Sequence, residues 1–184
     1  MQIDKITFSD ISIFHPEEEF SIFHKMNFTR TTGGKEWLRK FFTEPHIDLK
    51  KILGTQKVIR TLMEHLQHWP SDITNGTILM MEKFMDYALD PISENPTSFN
   101  SILYKWLHSE DYSMVKYSMT HFTDFFRGIK NIALLLEDLD LPADIKLSID
   151  RIAWLLKEPA LQKLSATARD EKFTTRQFLY FGYH

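Results

Sequence analysis

The sequence predicts an all-α domain of long packed helices, and three observations carry that prediction. Apolar residues recur at three-to-four spacing over most of the chain. Prolines and N-capping residues punctuate these stretches at helix-length intervals. Strand-like alternation is confined to a short opening segment, too short to make a sheet alone. With 184 residues, 43% hydrophobic and 26% charged, the chain can bury a core, and its composition excludes wholesale disorder. We read one helical domain over 1–184, which a polar connector between Pro91 and Pro96 can divide into two layers, 1–90 and 98–184.

In chain order, Ile3, Ile6, Phe8, Ile11 and Ile13 alternate and suggest an extended segment. Pro16 followed by Glu17, Glu18 and Glu19 predicts a helix start, since proline suits a first turn and carboxylates complement the N-terminal dipole. Thr31 or Thr32 can cap a second helix, in which Trp37, Leu38, Phe41 and Phe42 form two i,i+4 pairs before Pro45. Asp48 caps a third, with Leu49, Ile52, Gln56, Ile59, Met63 and Leu66 on one face. A fourth contains Ile78 to Tyr87. Ser98 can cap a short helix bearing Phe99, Ile102, Leu103 and Trp106.

The longest periodic stretch opens at Ser109. Val115, Met119, Phe122, Phe126, Ile129, Ala133 and Leu136 alternate four and three, the seam of a helix packed along another, and an Asp at Phe126 should loosen it. Its expected antiparallel partner follows Pro142, with Ile145, Ile149, Ile152 and Leu156 up to Pro159. Thr174 and Gln177 form a capping-box signature ahead of Phe178, Leu179, Tyr180 and Phe181. So much aromatic surface on a terminal helix leads us to expect that the helix runs on past His184 into another domain.

Composition excludes several function classes. There is no cysteine, so no disulfide framework, thiolate zinc site or cysteine nucleophile. No stretch approaches the roughly 20 apolar residues that span a bilayer, and Met1 to Phe8 lacks the build of a signal peptide, so a cytoplasmic location is expected. The net charge of −3 gives the whole chain no electrostatic pull on nucleic acid.

Residues 27–62, NFTRTTGGKEWLRKFFTEPHIDLKKILGTQKVIRTL, resemble without a gap the segment that opens the core domain of MutS-family mismatch-repair proteins. Thr31, Gly34, Leu38, Arg39, Phe41, Phe42, Pro45, Asp48, Ile52, Gln56, Ile59 and Leu62 fall in register with the family pattern. Thr55, His46 and Glu36 depart from it, with Lys35 one place before the family's basic column. The resemblance covers about a fifth of the chain. It implies a non-catalytic core and lever region of a DNA-repair ATPase, transmitting ATP state between an ATPase head and DNA. It further implies ATP and magnesium in that separate C-terminal domain, and a homodimer formed mainly through it. The family's mismatch reader, a Phe-x-Glu wedge, belongs to another domain; Phe42, Thr43 and Glu44 spell that pattern only at a helix end. A relative without the mismatch reader is the expectation.

The residues themselves offer little chemistry. Gly33, Gly34 and Lys35 suggest a phosphate loop, but a P-loop needs Gly at Thr29 and Ser or Thr at Glu36. Gly33 and Gly34 instead suit close backbone approach at a helix start. His65 and His68 stand three apart without a third convergent ligand and read as a solvated face, as do Asp86 with Asp90; no catalytic, cofactor or metal residues emerge. One basic stretch stands out: Arg30, Lys35, Arg39, Lys40, Lys50, Lys51, Lys57 and Arg60 against Glu36, Glu44 and Asp48. It can meet DNA phosphates, an acidic partner, or only water. The rival to the repair reading is a helical protein-interaction module whose aromatic faces meet another protein.

Overall fold

The computed structural model describes residues 11–167 and 173–183. Its described residues form nine α-helices and two 3₁₀ turns and contain no strand, so the chain is all-α. The helices are α1 (Ile22–Met26), α2 (Thr32–Thr43), α3 (Leu49–Glu64), α4 (Asn75–Asp86), α5 (Ser98–Leu107), α6 (Ser109–Leu136), α7 (Ala143–Leu155), α8 (Pro159–Ala166) and α9 (Thr175–Tyr183). No helix among the described residues is long and apolar enough to cross a membrane. The chain's contacts divide it between Leu62 and Met63, and the Pro91–Pro96 connector lies inside the second unit.

Capping chemistry sets the boundaries. Thr31 accepts the amide of Gly34 at 3.1 Å and starts α2, and Asp48 accepts the amide of Lys50 at 2.8 Å at the start of α3. Thr74 and Thr77 close a reciprocal box on α4. Thr97, rather than Ser98, caps α5 through the amide of Asn100. On α9, Gln177 Oε1 accepts the Thr174 amide at 2.8 Å while Thr174 Oγ1 accepts the Gln177 amide at 3.3 Å, the box its sequence predicts.

Three boundaries differ from expectation. Most of the alternating opening segment lies outside the described residues, and its described part, Ile11 to Phe14, is a turn in which Ser12 adopts φ 51°. Glu17 to Glu19 lead only into a 3₁₀ turn, Glu18–Phe20; the helix proper waits for Ser21, whose hydroxyl accepts the His24 amide. Pro159 begins α8 instead of merely ending α7, its missing N–H costing nothing at a first helical position.

In the first unit, Phe23 is buried and packs tilted against Phe14 and edge-on against Phe42, with ring centroids 5.2 and 5.9 Å away. Of the two i,i+4 pairs on α2, Leu38 and Phe42 are half-buried, whereas Trp37 and Phe41 are exposed. The α3 seam is open too: Ile52 is half-buried, but Leu49, Gln56, Ile59 and Met63 are exposed. A three-to-four period marks an apolar face, and only a partner element buries it.

The second unit is organised around α6, whose 28 residues span about 42 Å. Val115, Met119, Phe122, Ala133 and Leu136 of the expected seam are buried, with Phe126 and Ile129 half-buried. What covers the seam is more than one antiparallel partner. The core joins Tyr112, Val115, Met119 and Phe122 of α6 to Ala160 and Leu164 of α8 and to Phe178, Leu179 and Phe181 of α9. Met81 and Phe84 of α4 pack onto it. By contrast α7 contributes one buried residue, Ile149. Phe178 and Phe181 of α9 are therefore core, Tyr180 is half-buried, and Tyr183 is exposed.

Two glycines in this unit are fixed by contact. A Cβ on Gly128, in mid-α6, would lie 2.7 Å from Cγ1 of Ile73, so only glycine lets the Ile73 segment lie against the helix. A Cβ on Gly182 would lie 2.9 Å from Val115, which is how α9 comes close to α6. Helix α5 turns its apolar stripe outward. Ser101 faces inward, 1% exposed, while Phe99, Ile102, Leu103 and Trp106 all face solvent. The small Ser101, whose hydroxyl donates to Thr97 O at 2.7 Å, lets the helix approach on its polar side.

Candidate functional site

The basic stretch of the sequence maps to α2, α3 and the residues before them. Arg30 precedes α2; Lys35, Arg39 and Lys40 stand on α2; Lys50, Lys51, Lys57 and Arg60 stand on α3; all eight are exposed. They do not form one surface. Lys50 and Lys57 share a face of α3, while Lys51 lies about 100° round the helix from Lys50. On α2, Lys40 turns toward Glu44 at 3.8 Å and over the Trp37 ring at 5.3 Å, an exposed pair that water screens. Lys35 and Arg39, one turn apart, share the other face.

Lys35 and Arg39 open onto a cleft of about 300 Å³ whose other walls are Phe14, His15, Pro16, Ser21, Phe23 and His24. The fold builds this cleft by tying the segment before α1 back on itself. The Ser21 hydroxyl donates to Ile13 O at 2.8 Å, the Phe23 amide to the same oxygen at 3.0 Å, and the Ile22 amide to Ser12 O at 3.0 Å. The Arg39 guanidinium carbon lies over the Phe14 ring, 4.5 Å from its centroid, a cation–π contact.

The signature positions of the MutS resemblance take structural places. Thr31 is the α2 N-cap, and a Cβ on Gly34 would sit 3.0 Å from the Thr31 hydroxyl and 3.4 Å from Thr29 Cβ, so glycine there keeps the cap intact. Gly33 has nothing within 4 Å of a built Cβ, so the close-approach reading holds for Gly34 alone. Leu38 and Ile52 are half-buried, while Pro45 beyond α2 and Gln56 on α3 are exposed.

A second constellation escaped the sequence reading. Asp90, His108 and Asp111 bring one ligand atom each within 4.8 Å of one another, the one such group among the described residues. His65 and His68 join no such group. His108 Nδ1 meets Asp90 Oδ2 at 2.7 Å, and its ring stacks on Tyr104 with centroids 4.7 Å apart. Asp111, 8% exposed in the first turn of α6, accepts from Tyr87 OH at 3.1 Å and Asp90 N at 2.9 Å, and at 3.3 Å it shares the Tyr104 hydroxyl proton with the Asp90 carbonyl oxygen, which lies at 3.0 Å. With three donors and a helix N-terminus its charge is compensated, so the group acts as a clamp that gathers the end of α4, the connector, α5 and α6. His108 is the single residue between α5 and α6, and Asp111 reads in sequence as a first-turn acid; nothing in the spacing announces Asp90 as their partner.

Burial, with the neighbouring Asp111 charge and hydrogen bond, pushes the Tyr104 hydroxyl up to about 12. The Tyr87 hydroxyl is raised as well, by its bond to Asp111 first and then by burial. Because a raised tyrosine stays neutral longer in the fold than in the unfolded chain, its stabilisation is complete below about pH 10 and is lost on the way to about 12. The protein should therefore lose stability over that interval, and Tyr104→Phe should flatten the loss; an unchanged alkaline profile in Tyr104→Phe would place the titration elsewhere.

Searches against models of known protein families, curated proteins and solved structures found no match for this chain.

Proposed function

We propose that this chain is the non-catalytic core and lever segment of a MutS-related DNA-repair ATPase, which couples the ATP state of a separate ATPase domain to DNA. The reading rests on the ungapped resemblance of residues 27–62. It is supported by the physical roles of Thr31 and Gly34, since a capped helix start with an obligatory small residue is what those signature positions require. A single 28-residue helix at the centre of the second unit suits a lever, because a helix carries displacement along its axis with little compliance. ATP and magnesium belong to the ATPase domain, as does the main homodimer contact, and the working place is the cytoplasm.

This chain is then expected neither to bind nor to hydrolyse ATP, because its sequence offers no Gly-rich loop followed by Lys-Ser/Thr. Its own DNA binding should be weak, blind to sequence and steeply reduced by salt, with Kd about 10⁻⁴ to 10⁻⁶ M. Calorimetric titration with ATP, and duplex titrations with and without a mismatch at two salt concentrations, test both. Saturable micromolar ATP binding, or tight binding that prefers the mismatch, would sink the reading. The gene supplies a separate check, since a P-loop motif after a strand pattern is expected in the same reading frame.

One observation favours a second reading, a helical protein-interaction module without a nucleic-acid role. Phe99, Ile102, Leu103 and Trp106 lie at i, i+3, i+4 and i+7 on α5, all exposed, the arrangement by which a helix anchors in a partner's groove. A reading frame without a P-loop would promote it.

A further inference from the structure

We propose that the cleft lined by His15, His24, Lys35 and Arg39 is a binding site for a phosphate group. The inference stands on the cleft itself and not on the repair reading. Four nitrogen-bearing side chains face a volume of about 300 Å³, ample for a phosphate with part of the molecule that carries it. Among the described residues no carboxylate lines the cleft, and none pairs with Lys35 or Arg39. Of the eight residues of the basic stretch, Lys35 and Arg39 are the two that line this cleft, so convergence is what sets this pair apart.

The donors are of the kinds that phosphate recognition uses. Arg39, whose guanidinium carbon lies 4.5 Å from the Phe14 ring centroid, carries a fork that matches two phosphate oxygens, and Lys35, one turn earlier on the same face, adds a point charge. His15 Nδ1 lies against the Glu17 backbone, 3.1 Å from its amide nitrogen and 3.2 Å from its carbonyl oxygen, which leaves Nε2 as the ring nitrogen outside that turn. Phe23, buried beneath, and Pro16 supply an apolar floor that excludes water from part of the site and so strengthens each charged contact.

The phosphate can belong to a nucleic-acid backbone or to a small free ligand. The test titrates the whole chain with inorganic phosphate, with chloride at matched ionic strength, and with a short DNA duplex. Backbone amide and histidine-ring nuclear magnetic resonance signals are followed in each. Saturable shifts at His15, His24, Lys35 and Arg39 with phosphate but not chloride are expected. Lys35→Gln with Arg39→Gln should weaken the response by about ten-fold or more, as the loss of two charge-assisted contacts implies. Lys50→Gln with Lys51→Gln on α3 should leave it unchanged. All four positions are exposed, so both double variants should fold, which the signal of buried Phe23 reports. Shifts at the same four residues with the duplex assign the phosphate to a nucleic-acid backbone; shifts with inorganic phosphate alone assign it to a small ligand. No saturable shift with either probe, an equal response to chloride, or equal losses in the two double variants would overturn the proposal. ATP and mismatch titrations decide the repair reading separately, so either can fail alone.

Discussion

Replacing Met119 by Asp is expected to abolish cooperative folding of the second unit. Met119 is 1% exposed at the centre of the α6 seam, where it meets the core drawn from α8 and α9. The substitution removes a full core side chain and forces a carboxylate into a site with no cation among the core residues. Penalties above about 4 kcal/mol belong to this class of change, and whole domains are stable by only about 5–15 kcal/mol. Met119→Leu, which conserves volume, should cost less than about 1.5 kcal/mol. Leu134→Asp on the outer face of the same helix should change stability by no more than about 0.5 kcal/mol. Phe126→Asp should fall between these limits, because Phe126 is half-buried and its new charge can reach water. Thermal unfolding followed by circular dichroism orders the four variants. A cooperative transition near the parent temperature in Met119→Asp would mean that this face of α6 is not the core.

The contrast among those positions also marks how far the sequence can be read. The Val115 to Leu136 period located the face of α6 that is buried, since a helix surrounded by other helices needs a continuous apolar stripe. Capping residues placed most helix starts within a residue, because the Thr31, Asp48 and Thr174 bonds are made within four residues of chain. Period alone could not say which apolar faces find partners. Trp37 with Phe41, the α3 seam apart from Ile52, and the Phe99 to Trp106 stripe carry the same spacing as α6 and remain exposed. Helix α8 was missed because its eight residues hold too little periodicity, leaving Pro159 to look like a stop. Of the candidate site, the basic stretch was legible as composition. Its convergence was not: Lys35 and Arg39 meet His15 and His24 only through the Ser21–Ile13 tie, a contact that no local pattern encodes. The Asp90, His108 and Asp111 clamp was hidden for the same reason, as Asp90 comes from a connector 18 residues before His108.

Replacing Arg127 by Met is expected to be the second severe change, for an electrostatic rather than a volumetric reason. Arg127, near the middle of α6, bonds to Asp72 through Nε at 3.3 Å and Nη2 at 2.8 Å, and its Nη2 also reaches Asp124. Its Nη1 donates to Thr167 O at 3.4 Å, so one guanidinium ties the segment before α4, α6 itself and the end of α8. Burial opposes the charge on Arg127, but the bonds and charges of Asp72 and Asp124 outweigh it and hold the guanidinium still more firmly protonated than usual. The three side chains are only 17–20% exposed, so two carboxylates sharing one cation are poorly screened by water. Removing the cation alone leaves both acids without compensation at a cost of roughly 3–5 kcal/mol. Adding Asp72→Asn and Asp124→Asn to Arg127→Met should recover most of that loss, since a neutral trio no longer carries the repulsion. Denaturant unfolding of the single, double and triple variants gives the coupling energies directly. Costs that simply add, with the triple variant the least stable of all, would show that each group contributes through packing and that the charge network is incidental.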